Sequence, residues 1–315
     1  MRKCAQTLQL RTLAELELGQ SEKALADIKL SLRVMDSIRS EPFLISHLVR
    51  MGELQILLQP VYEGLAKHQW SDTELVELDR ELSKLDFLAD CQSSMRGERN
   101  AALATIDSIR RNGNAYELMT IVDQGREKDS TLKFRKILGT VIYWAIPHGW
   151  FWLNEVAIGD MHQRWTLPMN DQARQLVHPK LACEADDYLR HLPRRPWNLF
   201  AALIMPAITP MQQKFGYSQN AVNLARVACA LERFRLTHNE YPNSLDLLSP
   251  KFMDKIPHDV IGGQPLKYRR TDDGRFLLYS LGWNETDEGG KAGLDKKGTL
   301  DTKTGDWVWE YPVTK

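Results

Sequence analysis

Apolar positions recur at three- and four-residue spacing through the first two-thirds of the chain, the period of helices that each bury one face. The clearest stripe is Leu75, Leu78, Leu82, Leu85 and Leu88, which reads as one amphipathic helix. It follows Ser71-Asp72-Thr73-Glu74, where Ser71 can accept from the Glu74 amide while the Glu74 carboxylate reaches back, a capping box. Upstream, Leu8, Leu13 and Leu16 precede Gly19-Gln20, and Ala24, Ile28 and Leu32 follow on one face. Gly19 suits the left-handed position that ends a helix, and Ser21 a cap for the next. Ser40 and Pro42 are expected to open a third helix through Leu44, His47, Leu48, Met51 and Leu54, and Pro60 to interrupt it. Ala101, Leu103, Ile106 and Ile109 mark another helix, broken by Arg111-Asn112-Gly113-Asn114.

Near residue 216 the pattern changes. Glycines crowd the stretch from 262 to 305, and alternation of period two replaces helical spacing. A helix over 218–237 carries Ala221, Leu224, Ala225, Ala228, Leu231 and Phe234 as its stripe, with small residues that let a sheet approach. Asn239 can end it in the left-handed region, and Pro242 holds an extended exit. Leu245, Leu247 and Leu248 make a short helical turn. Strands over 266–270 and 275–280 flank Asp272-Asp273-Gly274, a hairpin turn, and a third over 307–311 puts Trp307, Trp309 and Tyr311 on one face. The expected fold class is therefore α+β. An all-α region over 1–215, built of αα-hairpins with a split near 112–130, precedes a small domain over 216–315, a long helix packed on a short antiparallel sheet.

Composition narrows the function classes. The chain has 315 residues, with 41 Lys+Arg against 41 Asp+Glu. That length suggests about two domains at ~150 residues each, and zero net charge argues against a nucleic-acid partner. Residues 217–315 hold this balance by themselves, with basic side chains on the first hairpin and acids gathered beyond it. Cys4, Cys91, Cys183 and Cys229 lack CxxC spacing, so each reads as a small buried hydrophobe rather than a zinc ligand or disulfide partner. The chain contains no HExxH, GxSxG or Gly-rich phosphate loop. Glu184, Asp186 and Asp187 read as a solvated face, and His148 and His162 as a pair only if the fold joins them. No catalytic residue and no enzyme activity is expected.

Two uncharged runs, 137–154 and 196–213, sit at the lower edge of a bilayer-spanning length. Pro147, His148 and Gly149 break the first, and Pro206 and Pro210 the second, so buried or interfacial helices are expected, with membrane association the alternative. Trp144, Trp150 and Trp152 would mark a membrane interface or a partner surface. No signal peptide can be read in the first residues. A helix that begins at once expects a partner before it, so an anchor or export segment upstream of residue 1 is anticipated.

Two resemblances follow. The stretch LAELELGQSEKALADIKLSL over 13–32 resembles half of a tetratricopeptide repeat, through Gly19 and Ala24. More extensively, the last third resembles the globular domain of the major pseudopilin of type II secretion. The matching elements are ALERFRLTHNEYP at the helix end, the SLDLL turn, the Pro-x-Asp of 257–259, the GGQPLKY strand entry, the YSLG of 279–282, the acidic Gly-rich loop and a late Trp. A pseudopilin starts with a basic leader, a processing site and a hydrophobic helix bearing a glutamate. Here the apolar stretch 200–208 stands in that helix's place, without the glutamate and with a proline.

The resemblance implies a structural calcium in the loop over 281–306. The candidate ligands are Asn284, Asp287, Glu288, Asp295, Asp301 and Asp306. Calcium takes six to eight oxygens, and so long a loop is uncommon unless functional or disordered. Lys291, Lys296, Lys297 and Lys303 offset much of its charge, which fits a merely solvated loop. The expected function is a non-enzymatic protein of the bacterial cell envelope or periplasm, membrane-anchored in a longer native chain, with a structural or protein-interaction role. The alternative is a helical-repeat adaptor that binds a protein partner through residues 1–215.

Overall fold

The computed structural model describes residues 2–112, 144, 147–193 and 195–309, without the side chains of 203–209. The expected split at 113–130, half of the run 137–154, and Tyr311 lie outside the described residues.

Helices α1 (Arg2–Glu17) and α2 (Ser21–Asp36) form a hairpin. Gly19 turns the chain at φ +68° and gives its N–H to the Leu16 carbonyl. Leu8 and Leu16 on α1 face Ala24, Ile28, Leu32 and Met35 on α2, all buried. Ser21 does not cap α2; Gln20 holds that position, and its side chain caps no backbone amide.

Helix α3 (Leu44–Ala66) runs through Pro60 without a break. The proline costs ~3 kcal/mol, yet Leu54, Leu57, Leu58, Val61 and Leu65 are all buried around it, each worth about 1.5–3 kcal/mol. Its start also differs from expectation, since neither Ser40 nor Pro42 opens it. Glu98 accepts the Leu44 N–H at 2.8 Å across from another helix. Helix α4 (Asp72–Leu82) begins with the expected capping box.

The leucine stripe that reads as one helix is divided. Leu75, Leu78 and Leu82 belong to α4, Leu85 to a short connection, and Leu88 to α5 (Phe87–Asn112), with all five buried. Asp86 starts α5 afresh by accepting the Ala89 N–H at 2.8 Å. Burial sets the spacing of the stripe, and the cap sets where the helix stops.

Helix α6 (Gly149–Met161) ends in a π-turn over His162–Thr166. A small ribbon of β1 (Asn170–Asp171) and β2 (Leu176–Val177) leads to α7 (Pro179–His191). Then comes α8 (Leu199–His238), 40 residues long. It starts at Leu199 rather than near 218, and so crosses the expected boundary at 215–216. Leu224, Ala225 and every residue from Val227 to Leu231 are buried, so the helix is covered on all sides rather than along one stripe. Helices α3 to α7 pack on it, as do β4 and β7 of the sheet. Among the described residues, no helix is long and apolar enough to cross a membrane.

Asn239 closes α8 at φ 60°, and Leu245–Leu248 forms the expected helical turn. The sheet has the order β3-β4-β7, antiparallel throughout, from β3 (Lys267–Arg270), β4 (Phe276–Ser280) and β7 (Trp307–Val308). A second hairpin, β5 (Ala292–Leu294) with β6 (Leu300–Gly305), lies between them. The architecture is the expected helical region followed by an α+β part. One hydrophobic core runs through both: Trp309 beyond β7 packs on Tyr62 of α3, ring centres 4.4 Å apart and tilted at 45°.

Candidate metal loop and the buried charges

The stretch 281–306 is not a structureless loop. Gly298, at φ +75°, and the Asp295 carboxylate, which accepts the Lys297 and Thr299 amides at 2.8 and 2.9 Å, fold its middle into the β5–β6 turn. The Asp-x-x-Gly spacing of 295–298 was a readable signal for this turn. Two close backbone approaches pin the ends. A Cβ on Gly282 would lie 1.8 Å from the Gly305 carbonyl oxygen, and one on Gly293 1.9 Å from that of Thr304.

The six candidate calcium ligands divide accordingly. Asp306 is buried, and its Oδ2 accepts the Gly290 and Glu288 amides at 2.7 and 3.1 Å. Its Oδ1 has no partner among the described residues, and neither has Glu288 Oε2. Burial first, and repulsion from Glu288 as well, push the Asp306 carboxyl above its ordinary range. Asn284 donates to Glu288 Oε1 at 2.7 Å, so these three residues form one cluster.

The other three are engaged elsewhere. Asp287 accepts from the Tyr279 hydroxyl and the Gly289 amide, and faces Lys267 at 3.4 Å. Asp295 holds the hairpin turn, and Asp301 accepts the Lys303 amide at 3.0 Å. Among the described residues, no group of three His, Cys, Asp or Glu side chains is spaced to hold a metal. The two orphaned carboxylate oxygens nevertheless fit a cation, with Asn284 and loop carbonyls as the remaining oxygens.

Other candidates remain apart. His148 and His162 lie at opposite ends of α6, roughly 20 Å apart at 1.5 Å per residue. His162 is buried, and burial first, with the charge of Arg99, holds its imidazole down to about 4. Glu184 and Asp187 face solvent on α7. Cys91 and Cys229 are buried as expected, whereas Cys4 and Cys183 are exposed, because they sit on the outer faces of α1 and α7. Burial pushes the Cys91 thiol up to about 12. Trp152 is exposed beneath the Arg110 guanidinium, 4.4 Å from the ring centre, and Trp144 is exposed too.

Three buried charged centres were not anticipated in their roles. Asp259 accepts from the Ile261 and Leu281 amides and the Ser280 hydroxyl, all at 2.8 Å, and so ties the 258–265 turn to the end of β4. Arg50, fully buried, pairs with Asp90 and with Asp36. Glu232 on α8 binds Arg235, Tyr241 and His68. Sequence periodicity registers these polar residues only as interruptions of an apolar stripe.

No family model, curated protein or solved structure matches the chain.

Proposed function

We propose that the chain is a non-enzymatic protein of the bacterial cell envelope, in which a pseudopilin-like helix-and-sheet unit is carried on a helical scaffold. One observation carries this reading: α8 is a single 40-residue helix that ends at left-handed Asn239 and packs on an antiparallel sheet. That order, long helix first and small sheet second, is the one the sequence resemblance implies. The apolar run at 196–213 forms the first part of the same helix, as the hydrophobic segment of a pseudopilin precedes its globular domain. The helices of the scaffold surround α8 here, which suits a structural or protein-interaction role better than a freely projecting fibre subunit.

Calcium belongs to this reading as a structural ion. Of the six candidates, Asn284, Glu288 and Asp306 would hold it, with loop carbonyls completing the shell. Bound there, it would neutralise the buried Asp306 and half-buried Glu288 carboxylates and fasten the loop to the strand that follows.

The test of location is fractionation of cells that make the native protein, combined with protease treatment of intact spheroplasts. The envelope reading expects the protein with membranes or periplasm and accessible to protease; recovery in the cytosol overturns it. The test of calcium is calorimetry of the full chain in millimolar calcium and in chelator. Calcium should raise the melting temperature of the wild type and not that of Asp306→Asn; equal melting in both conditions refutes the site.

A further inference from the structure

Helices α1, α2 and α3 enclose a cavity lined by Gln9, Thr12, Ser31, Glu53, Ile56 and Pro60 among others. Its volume, ≈ 10 Å³, is about that of a single water-sized guest. Glu53 lines it at 5% exposure, and neither carboxylate oxygen has a hydrogen-bond partner among the described residues. A buried carboxylate without a partner is strongly disfavoured, so this group calls for a neutralising guest. Arg50, one turn earlier on α3, lends its charge but no hydrogen bond to Glu53: its Nη atoms go to Asp90 and Asp36.

The rest of the lining points the same way. Thr12 spends its hydroxyl hydrogen on the Leu8 carbonyl at 2.8 Å, which leaves its lone pairs. Gln9 gives one amide hydrogen to Gln59 at 2.7 Å, and its carbonyl oxygen is left to accept. Pro60 has no N–H to offer the Ile56 carbonyl, four residues before it in the same helix. Among otherwise apolar walls (Ala5, Ile28, Leu57), the polar lining thus offers the oxygens of Gln9, Thr12 and Ser31 and one negative charge, that of Glu53. A water molecule can donate only two hydrogens to such a set, whereas a cation can take all the oxygens.

We propose that this cavity is a binding site for a monovalent cation of sodium size, with Glu53 as its charged ligand. No second carboxylate lines the cavity to balance a divalent ion. The volume admits either bare ion, since potassium is about the size of water and sodium is smaller; the smaller ion draws the carboxylate and the neutral oxygens closer. The proline within α3, which costs stability as a helix residue, gains a role by freeing an oxygen beside the ion.

The test is thermal unfolding of the full chain at about pH 8.5, where an ordinary carboxylate is ionised. Sodium, potassium and choline chlorides are compared at equal ionic strength. Sodium should raise the midpoint by roughly 3–5 °C over choline, as a ligand selective for the folded state does. Potassium should raise it by less, and Glu53→Gln should abolish the difference between salts. Equal midpoints in all three salts overturn the proposal in favour of a proton or a water, as does a sodium effect that persists in Glu53→Gln. Sodium-23 relaxation of the wild type needs no variant: saturable broadening supports the site, and its absence overturns it.

Discussion

His68 Nδ1 lies 2.8 Å from Glu232 Oε1, so the turn that ends α3 is fastened to α8, 164 positions further along the chain. Glu232 is buried and also accepts from the Tyr241 hydroxyl at 2.8 Å and from Arg235 at 2.7 Å. Two more ion pairs hold the same helix against α4, Arg226 to Asp79 at 2.7 Å and Arg233 to Asp72 at 2.8 Å. The helices before α8 and the unit of α8 and the sheet are thus joined by charged contacts as well as by a shared core.

Removing Glu232 strips Arg235, Tyr241 and His68 of one acceptor at once. Glu232→Ala should cost about 3 kcal/mol in urea unfolding, the range for breaking a buried pair. His68→Ala should cost about 1 kcal/mol or less, because His68 is 45% exposed in its side chain. Burial pushes the Glu232 carboxyl up, but its hydrogen bonds outweigh that and hold it below its ordinary range. A depressed acid stabilises the fold above its unfolded pKa and loses that contribution as pH falls through the folded value. Wild type should therefore lose stability below about pH 4.5, and Glu232→Gln should lose less over the same acid range.

Asp259 carries the opposite sign. Burial lifts its carboxyl to about 6 despite three donors aimed at it. An acid raised on folding contributes stability that is fully present below about pH 4 and is lost as pH rises through about 6. Urea midpoints measured at pH 4.5 and 7 should therefore differ more in wild type than in Asp259→Asn. At pH 4.5 the Asn variant should be weaker by about 1–3 kcal/mol, because its amide faces backbone N–H groups that need an acceptor. Identical pH slopes in the two proteins would count against a raised Asp259.

What the sequence made legible follows from how local each cause is. The capping box at Ser71, the turns at Gly19 and Asn239, and the hairpin at Gly274 rest on neighbours within a few residues, and all four occur where expected. The failures have distant causes. Pro60 stays helical because other helices bury its surroundings, and α3 starts at Leu44 because Glu98 reaches across to it. Helix α8 begins at Leu199 because five helices cover it. In the candidate loop, composition identified six oxygen-bearing residues but could not separate Asp295, spent on a local turn, from Asp306, whose orphaned oxygen meets Glu288 only after the β5–β6 hairpin closes.

Gly97 offers a test of the α5 contact with the connection before α3. A Cβ there would lie 1.7 Å from the Pro42 carbonyl oxygen, and a backbone oxygen cannot swing aside as a flexible side chain can. Gly97→Ala should destabilise by about 1–3 kcal/mol as overpacking, despite alanine's better helix propensity. Gly52→Ala, on α3 with nothing within 4 Å, should instead be neutral or stabilising by up to about 1 kcal/mol. Chemical denaturation of the two variants side by side checks the contrast, and equal effects would refute the close approach.

The Arg50 centre can be dissected in the same way. Its guanidinium is fully buried, paired with Asp90 and Asp36, and lies over the Phe87 ring at 5.4 Å. Asp90 is buried, and its other nearby cation, Arg39, is 3.5 Å away and largely exposed. Arg50→Met should cost about 3–5 kcal/mol, mostly from stranding the Asp90 carboxylate. Asp36, 37% exposed in its side chain, can turn to water. The double variant Arg50→Met with Asp90→Leu removes the stranded charge, and should recover at least ~2 kcal/mol of that loss. If the double variant is as unstable as the sum of the singles, the two residues act independently. The centre would then be three separate surface-like pairs rather than one buried network that joins α2, α3 and α5.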